Sequence, residues 1–369
     1  MIRRVAYLCM QTTREGQASY AHVNEIINGL RRRGVTVDLF EPRYGRGEAA
    51  PGPLRKLWGF LTVQLRLVVR LPSYDAIYIR GHFAEGLVVL AAWILRVPQV
   101  QEVNGPLEDL FVMYPWTRPL GGFFKVLGRI QHRMADAIIT VTPQMAAWCT
   151  RECGNRNVHV VPNGANLDFF HPGARSAEAP SGSYAIFFGA FSPWQGIDTM
   201  LEAVRSPEWP AGTRLVLAGD GTERAKVEAA AAAGDQVMYL GVKPYRDLPG
   251  FVAPAAVGIC AKNDGGSHAD TGWSPLKLYE MMATGIPVVV TDLPGQFEVV
   301  TIARAGLVIK PGDPAALAKA VAQLVQAPDE SRAMGQRGHE LVAKEHSWDR
   351  RGQDTWEVLQ GVEKGAANA

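Results

Sequence analysis

The chain contains 369 residues, of which 47% are hydrophobic and 20% are charged. This composition excludes intrinsic disorder and low-complexity fibres, and the length favours two domains, or three. Four scattered cysteines exclude a disulfide scaffold. Cys149 and Cys153, spaced i, i+4 with no second pair, do not make a zinc site. We therefore expect reduced thiols and a cytoplasmic protein.

The net charge of +2 conceals an uneven distribution. Residues 1–165 hold 20 Lys and Arg against 12 Asp and Glu, a net charge of +8. Residues 166–369 hold 18 against 24, a net charge of −6. Of the 20 basic residues in the first half, 18 are Arg. Halves of opposite charge are expected to bind different partners.

No segment is predicted to cross a membrane. The N-terminal run Ile2–Met10 is short and lacks a small-residue cleavage site, so we interpret it as a first strand and not as a signal peptide. The longest apolar stretch, Gly86–Leu95, is far shorter than the ~20 residues that a spanning helix requires.

Short β-rich runs alternate with helical patterns through the first half of the chain. A helix is predicted over Tyr20–Arg33, ending at Gly34. Strands are predicted at Val5–Met10, Val35–Phe40, Ala76–Arg80, Val97–Val103 and Ala137–Val141. This alternation indicates a parallel sheet with helices on both faces.

The second half repeats the alternation after a linker. A strand over Val158–Pro162 leads into a segment rich in Pro, Gly and Ser at 169–183. Later strands are predicted at Tyr184–Gly189, Arg214–Ala218, Val237–Leu240, Val257–Ala261, Pro287–Thr291 and Gly306–Ile309. Helices are predicted over Ala315–Gln326 and Trp348–Val362.

These patterns predict an α/β fold of two doubly wound, Rossmann-like domains facing across a cleft. The expected domains are 1–165 and 166–347, with the C-terminal helix at about 348–369 packing back on the first domain. Sheets of this kind bind ligands outside the carboxyl ends of their strands, so the cleft is the expected site.

Several common enzyme motifs are absent. No G-x-G-x-x-G follows the first strand, and neither a P-loop nor a G-x-S-x-G sequence occurs. No two aspartates are spaced i, i+2, which removes the simplest metal clamp for a nucleotide. These absences disfavour an oxidoreductase, an NTPase and a hydrolase.

The most informative stretch is Thr271–Val290, which predicts a helix followed by a buried strand. Ser274 is the predicted N-cap and Pro275 the first helical residue. The free N–H groups at this helix tip, with Lys277 in the first turn, would attract a diphosphate, and Glu280 could accept hydrogen bonds from a ribose diol. A capped helix in an ordinary βαβ unit is the alternative interpretation of these residues.

This stretch resembles the nucleotide-sugar signature of the retaining glycosyltransferases of family 4, which have the two-domain GT-B fold. Other segments match the family's motifs in the same order along the chain: Gly16–His22, Val160–Pro172, Phe188–Asp198, Ala218–Gly221 and Ser347–Trp348. The resemblance covers nearly the whole chain, and it is specific because five motifs occur in register.

The resemblance implies a nucleotide-diphosphate sugar as the donor, with neither a cofactor nor a metal ion. The implied donor-binding residues are Ser274, Pro275, Leu276, Lys277, Glu280, Gly189, Gln195, Gly219 and Asp270. The implied acceptor-binding residues are Gly16, Gln17 and His22. The catalytic candidates are Asn104, which falls where many members have a histidine, together with His82 and Glu102.

Three positions depart from the family pattern. Gly272 lies where the family commonly has a first carboxylate, for which Asp270 could substitute. Ala190 and Gln195 lie where Arg and Lys usually hold the diphosphate. The diphosphate charge must then be met by Lys277, by helix N–H groups, or by another base such as Lys243 or Lys262. For His82, a structural role is the alternative interpretation.

Residues 54–71 predict a helix with a basic side. Arg55, Lys56, Arg66 and Arg70 fall within an arc of about 100° at helical periodicity. One interpretation is a core-packed helix with a solvated face, and the other is an interfacial helix on an anionic membrane. Because no nucleic-acid-binding pattern is found, we expect no nucleic acid partner. A location at the inner face of the membrane follows from the second interpretation.

The sequence therefore predicts a metal-independent, retaining glycosyltransferase acting on a glycan or polyprenyl-linked acceptor. Two alternatives remain open. Gly272, Ala190 and Gln195 favour a non-catalytic sugar-nucleotide-binding member of a glycan-assembly complex, and a nucleotide-sugar epimerase of related fold is the other alternative.

Overall fold

The computed structural model describes residues 1–13, 18–44, 52–234, 236–263 and 270–366. The chain divides into two compact units. The first unit contains Met1–Pro162, apart from 15–21, and Arg351–Ala369, and the second contains Asn163–Arg350. Each unit has its own six-stranded sheet.

The sheet of the first unit is parallel throughout, with the strand order β2-β1-β3-β4-β5-β6. Its strands are β1 (Arg4–Cys9), β2 (Thr36–Phe40), β3 (Ala76–Arg80), β4 (Gln99–Val103), β5 (Ala137–Thr140) and β6 (Val158–Val160). The central strands are buried along nearly their whole length, as expected for a parallel sheet covered by helices on both faces.

In the described part of the first unit, these strands are connected by the helices α1 (Ala18–Arg32), α2 (Pro53–Val68), α3 (Gly86–Leu95), α4 (Glu108–Met113), α5 (Gly121–Arg133) and α6 (Pro143–Cys153). Buried residues of α2 and α3 pack with every second residue of β1 and β3, including Leu8 and Ile79. This packing uses the period-2 alternation of side chains along a strand.

The sheet of the second unit is also parallel, with the order β12-β11-β10-β7-β8-β9. Its strands are β7 (Tyr184–Ala190), β8 (Arg214–Asp220), β9 (Val237–Tyr239), β10 (Val257–Cys260), β11 (Val288–Thr291) and β12 (Gly306–Ile309). The strand order reverses direction between β7 and β10, and sheets of this kind bind ligands at such a switch point.

The helices of the second unit are α7 (Ile197–Ala203), α8 (Arg224–Ala232), α9 (Pro249–Val252), α10 (Leu276–Ala283), α11 (Phe297–Ala303), α12 (Pro314–Gln326) and α13 (Pro328–Glu345). Two hydrophobic clusters pack against the sheet, one holding Phe187 and Leu217 and the other Ile186 and Val216. Because neighbouring residues of one strand belong to different clusters, the clusters lie on opposite faces.

The last helix, α14 (Trp348–Ala366), contacts the start of the chain within the first unit. Gln360 exchanges two hydrogen bonds of 3.1 Å with the backbone of Ile2. A Cβ on Gly352 would lie 2.7 Å from the Cα of Gly29 in α1, so the two helices meet in close contact at a pair of glycines.

The predicted strands agree with the observed ones to within a few residues, but the helices differ from the prediction in two places. Helix α13 was not predicted. Helix α10 begins at Leu276, so the prediction of Ser274 as its N-cap and Pro275 as its first residue is wrong. Pro275 is the capping residue, and the Ser274 hydroxyl instead accepts a hydrogen bond of 3.1 Å from the backbone N–H of Asn163.

Candidate functional sites at the carboxyl ends of the strands

In the second unit, the carboxyl ends of β7 and β8 approach each other through glycines. Gly189 and Gly219 face each other in register and both have positive φ angles, 123° and 144°. A Cβ on Gly219 would lie 1.9 Å from the carbonyl oxygen of Gly189. Only glycine permits this approach, so the two strands come close together beside the β7–β10 switch point.

Lys277, in the first turn of α10, reaches the backbone at Gly189, which we call the glycine turn. Its Nζ donates a hydrogen bond of 3.0 Å to Oε1 of Gln195 and lies 3.7 Å from the ring centroid of Phe187. The same Nζ lies 3.1 Å from where a Cβ on Gly189 would be. Burial lowers the pKa of Lys277 to about 7, and the charge of Lys262 adds to this lowering.

Lys262 is a second buried lysine, placed just after β10. Its Nζ lies 3.9 Å from the ring centroid of Trp273, and burial lowers its pKa to about 8. Among the described residues, no carboxylate forms an ion pair with Lys262 or Lys277. Two buried ammonium groups on either side of the β7–β10 switch point therefore lack an anionic partner from the described protein, which is the charge pattern of an anion site.

The other predicted residues of α10 are held by neighbouring side chains. Glu280 is buried, and its Oε1 accepts a hydrogen bond of 2.9 Å from the hydroxyl of Tyr245. Ser274 is tied to Asn163, whose side-chain amide donates a 2.6 Å hydrogen bond to the Ser274 carbonyl oxygen. Pro275 and Leu276 form the partly exposed tip of the helix.

The backbone conformation at residue 272 is consistent with glycine there in place of the carboxylate that the family commonly has. Gly272 has a φ angle of +73°, a conformation that disfavours glutamate. Asp270 is exposed and adjoins residues outside the described ranges. Lys243, the remaining basic candidate, forms a 3.0 Å ion pair with Glu178. Lys243 therefore has a carboxylate partner, whereas no described carboxylate forms an ion pair with Lys277 or Lys262.

In the first unit, Glu102 lies at the centre of a buried polar network at the carboxyl ends of β3 and β4. It accepts hydrogen bonds from the Tyr78 hydroxyl at 2.5 Å and from Arg80 Nη1 at 3.0 Å, and it also accepts one from the Asn104 amide. His22 Nε2 lies 2.9 Å from Glu102 Oε1. Burial alone would raise the pKa of Glu102, but His22, Arg80 and Tyr78 hold it well below its usual range.

This network joins three of the predicted residues, Glu102, Asn104 and His22. The surroundings of these residues also differ, and so do the chemical roles open to them. Glu102 is a firmly ionised carboxylate, so it is a poor general base, and it holds Asn104 and His22 in place. Asn104 is partly exposed, so it can contact a ligand in addition to Glu102.

His82 lies in a different environment from the Glu102 network. Its ring packs 4.9 Å from the ring of Phe60 and 4.4 Å from that of Phe83, and its Nδ1 accepts a hydrogen bond of 3.2 Å from Ala84. Burial lowers the pKa of His82 to about 4. Burial also raises the pKa of Glu85, which accepts a hydrogen bond from the His82 backbone, to about 8. His82 is therefore uncharged at neutral pH, and its contacts with Phe60 and Phe83 are those of a packing residue.

Two of the three predicted acceptor residues, Gly16 and Gln17, lie outside the described residues. The basic side of α2 is also placed differently from expectation. The buried residues of α2 include Gly59 and Val63, which lie on the same side of the helix as the basic arc. The opposite, apolar side is exposed, including Trp58 and Leu61.

Sequence reasoning did not identify Tyr78, Arg80 and Tyr245, which position the predicted acidic residues. Their signal is weak because they are ordinary members of a strand or loop pattern. The described residues contain no group of three His, Cys, Asp or Glu side chains that could hold a metal ion. No described helix has the length and apolar character needed to cross a bilayer.

The fold and these sites define a class: two Rossmann-like units with polar groups at the carboxyl ends of the strands, as in GT-B glycosyltransferases. Residues 182–327 match the family described as glycosyl transferases group 1, and residues 21–169 match the glycosyltransferase family 4 domain. The chain belongs to glycosyltransferase family 4, and it is a glycosyltransferase.

Known relatives support this assignment. The phosphatidyl-myo-inositol mannosyltransferase of Mycobacterium leprae is 25% identical over 88% of this chain and 87% of its own. Sucrose-phosphate synthase from Thermosynechococcus elongatus has a TM-score of 0.78 at 19% identity, covering 98% of this chain and 100% of its own. Anabaena Alr3699/HepE, solved with UDP and glucose, has a TM-score of 0.72 at 17% identity, covering 98% and 100%. These structural similarities show the GT-B fold.

Proposed function

We propose that this protein is a retaining, metal-independent glycosyltransferase that moves a sugar from a nucleotide-diphosphate donor to a lipid-linked or glycan acceptor at the cytoplasmic face of a membrane. The observation that carries the donor assignment is the pair of buried lysines, Lys277 and Lys262, beside the glycine turn at Gly189. A diphosphate is a ligand of matching charge.

The arrangement of α10 fits a nucleotide diphosphate in two respects. Lys277 and the N-terminal N–H groups of α10 would meet the diphosphate, and the Glu280 carboxylate, oriented by Tyr245, would accept hydrogen bonds from the ribose hydroxyls. The names of two relatives agree with this choice of substrates. HepE was solved with UDP, and the M. leprae enzyme is named for a phosphatidylinositol acceptor.

In the proposed transfer, the bond between sugar C1 and the diphosphate oxygen breaks and a bond from the acceptor hydroxyl to C1 forms. The acceptor proton passes to the leaving diphosphate. Negative charge grows on that diphosphate as the bond breaks, and the two lysines would stabilise it in a site already desolvated by burial. Asn104, held by Glu102, would orient a hydroxyl of the sugar or acceptor, which requires no protein nucleophile.

The test is a thermal-shift and calorimetric series with UDP, GDP, ADP and their sugars. At least one nucleotide should raise the melting temperature, because a ligand that binds only the folded state stabilises it. Glu280→Gln should lose most of this shift, whereas the exposed Glu340→Gln should keep it. If no nucleotide diphosphate binds, the proposal is wrong.

The backbone at Gly272 and the residue Ala190 also favour a second candidate, a sugar-nucleotide binder without transfer activity. The two candidates differ in a product assay. Transfer or slow donor hydrolysis that is lost in Glu280→Gln identifies the enzyme, and binding with no product from any acceptor fraction identifies the binder. A free, epimerised nucleotide sugar would instead identify an epimerase.

A further inference from the structure

The loop between β7 and α7 carries one exposed aromatic side chain. Trp194 is 40% exposed, whereas every other described Phe, Tyr and Trp side chain in residues 163–350 is buried or half-buried. A single exposed tryptophan is by itself ordinary on a protein surface. Trp194, however, directly precedes Gln195, whose side chain accepts the hydrogen bond from Lys277. The exposed ring therefore belongs to the segment that borders the anion site at the switch point.

The backbone of this loop is held by the segment that follows β10. The backbone N–H of Asn263 donates a hydrogen bond of 3.1 Å to the carbonyl oxygen of Trp194, and the Asn263 side-chain amide donates one of 2.9 Å to that of Pro193. Gly196 has a φ angle of +72°, and a Cβ there would lie 1.8 Å from the carbonyl oxygen of Ala261. A loop fixed at these points loses little conformational freedom when a ligand binds to it, which suits a binding residue.

The strand order separates the two ends of a bound nucleotide sugar. Strands β8 and β9 lie on one side of β7, and β10 lies on the other. Tyr245 follows β9 and holds Glu280, the proposed ribose ligand. Asn263 follows β10 and holds Trp194. Because a diphosphate carries the nucleoside at one end and the sugar at the other, a diphosphate at Lys277 would direct the nucleoside toward β9 and the sugar toward β10.

A second tryptophan adjoins the same end of β10. The Nζ of Lys262, the residue before Asn263, lies 3.9 Å from the ring centroid of Trp273, which is half-buried. The backbone N–H of Trp273 donates a hydrogen bond of 2.7 Å to the carbonyl oxygen of Pro294. Two neighbouring residues after β10 therefore contact one tryptophan each, so the end of the site assigned to the sugar is the aromatic end.

We propose that Trp194 is a specificity-determining residue whose ring packs against one face of the transferred sugar. A pyranose ring carries its hydroxyls around the edge and C–H groups on its faces, so an aromatic ring can cover a face while polar groups bind the edge. The ligand class that fits this end of the site is a hexopyranose. The inference rests on the proposed function, because it takes the nucleotide sugar as the donor.

The experiment compares nucleoside diphosphates with their hexose derivatives by calorimetry, using UDP, GDP and ADP and the glucose, galactose and mannose derivatives of each. For a pair that binds the wild type, Trp194→Leu should raise the ratio of the nucleotide-sugar dissociation constant to the nucleotide dissociation constant roughly fivefold to twentyfold, because only the sugar loses a contact. Trp194→Phe keeps an aromatic ring and should keep most of the wild-type ratio.

The matched control is Trp93→Leu, which removes a 60% exposed tryptophan from the first unit and should leave both dissociation constants unchanged. All three variants should melt close to the wild-type temperature, because each replaces an exposed side chain. Acrylamide quenching gives a second measurement. The nucleotide sugar, but not the nucleoside diphosphate, should shield one tryptophan of the wild type, and this shielding should be absent from Trp194→Phe although that variant still binds.

Four results would overturn the inference while the donor assignment stands: an unchanged ratio in Trp194→Leu, equal weakening of both ligands, equal shielding by both ligands, or binding of a nucleoside diphosphate with no binding of its hexose derivatives. The absence of binding by every nucleotide and nucleotide sugar would instead overturn the proposed function, and this inference with it.

Discussion

The two units treat buried charge in opposite ways. In the first unit, the buried Glu102 carboxylate receives hydrogen bonds from Tyr78, Arg80 and Asn104 and has His22 at 2.9 Å. In the second unit, the buried ammonium groups of Lys262 and Lys277 have aromatic rings and one amide oxygen, with no described carboxylate. Burying an unpaired charge costs free energy, and this cost is retained only where something offsets it.

The comparison suggests a rule for assigning the sites. A buried charge that the protein satisfies fully fixes its neighbours in position, and a buried charge that the protein leaves unsatisfied is available to a ligand. Glu102 is then a positioning residue, and the two lysines are binding residues. Mutation of Glu102 should therefore mainly lower stability, whereas mutation of either lysine should mainly lower ligand affinity.

The largest expected effect on stability is that of Glu102→Gln. This change leaves Arg80 and His22 buried without the carboxylate, and we expect the free energy of unfolding to fall by about 3 kcal/mol. Urea denaturation followed by tryptophan fluorescence measures the change. Glu108→Gln is the control, because Glu108 forms an exposed 3.1 Å ion pair with Lys125 that should contribute less than about 1 kcal/mol. Equal effects of the two changes would contradict the positioning role.

Lys277→Met should give the opposite result. It removes the buried charge but keeps the apolar stem against Phe187, so the free energy of unfolding at pH 7 should stay the same or rise. Affinity for the nucleotide sugar should fall roughly 10- to 100-fold, because a charge-assisted hydrogen bond is lost. Lys243→Met, which breaks the ion pair with Glu178, is the control for binding by calorimetry. Unchanged affinity in Lys277→Met would remove this lysine from the site.

The lowered lysine pKa values predict two pH dependences of opposite sign. Between pH 7 and pH 10 the unfolded chain binds more protons at Lys277 and Lys262 than the folded chain does, so their contribution makes the free energy of unfolding rise with pH. Nucleotide-sugar affinity should fall over the same range, by up to about tenfold per pH unit for each lysine that must take up a proton. Calorimetry in buffers of different ionisation enthalpy should detect this uptake at pH 8, and Lys277→Met should reduce it.

The strands and most helices could be predicted from sequence because local signals determine them. The run Ala76–Arg80 is a buried parallel strand, and glycines such as Gly34 and Gly285 end helices with positive φ angles. The α10 motif was predictable for the same reason, because the helix tip, Lys277 and Glu280 lie within one short segment of the chain. Its exact start was not predictable, because Asn163, 111 residues away, occupies the Ser274 hydroxyl.

The contacts of Glu102 could not be predicted from sequence, because they come from β3, from the loop after β4 and from α1, and they meet only in the tertiary structure. The exposed side of α2 could not be predicted either. Both sides of α2 carry apolar residues, with Val63 on the buried side and Leu61 on the exposed side. Periodicity alone therefore does not indicate which side packs against the sheet. The basic arc was a misleading signal for the same reason, since it overlaps the buried side.

The smallest predicted effect concerns how Glu280 is held. Tyr245→Phe removes the 2.9 Å hydrogen bond to Oε1, which should allow the carboxylate to rotate and lower nucleotide-sugar affinity roughly threefold to tenfold. Tyr184→Phe is a matched control, because it removes a 2.6 Å hydrogen bond to the Phe251 carbonyl in the same unit and leaves the hydrogen bond between Tyr245 and Glu280 in place. Both variants should lose similar stability, and only Tyr245→Phe should lose affinity. A loss of affinity for nucleosides with a ribose diol, without a loss for their 2′-deoxy analogues, would show that Tyr245 acts through the ribose contact.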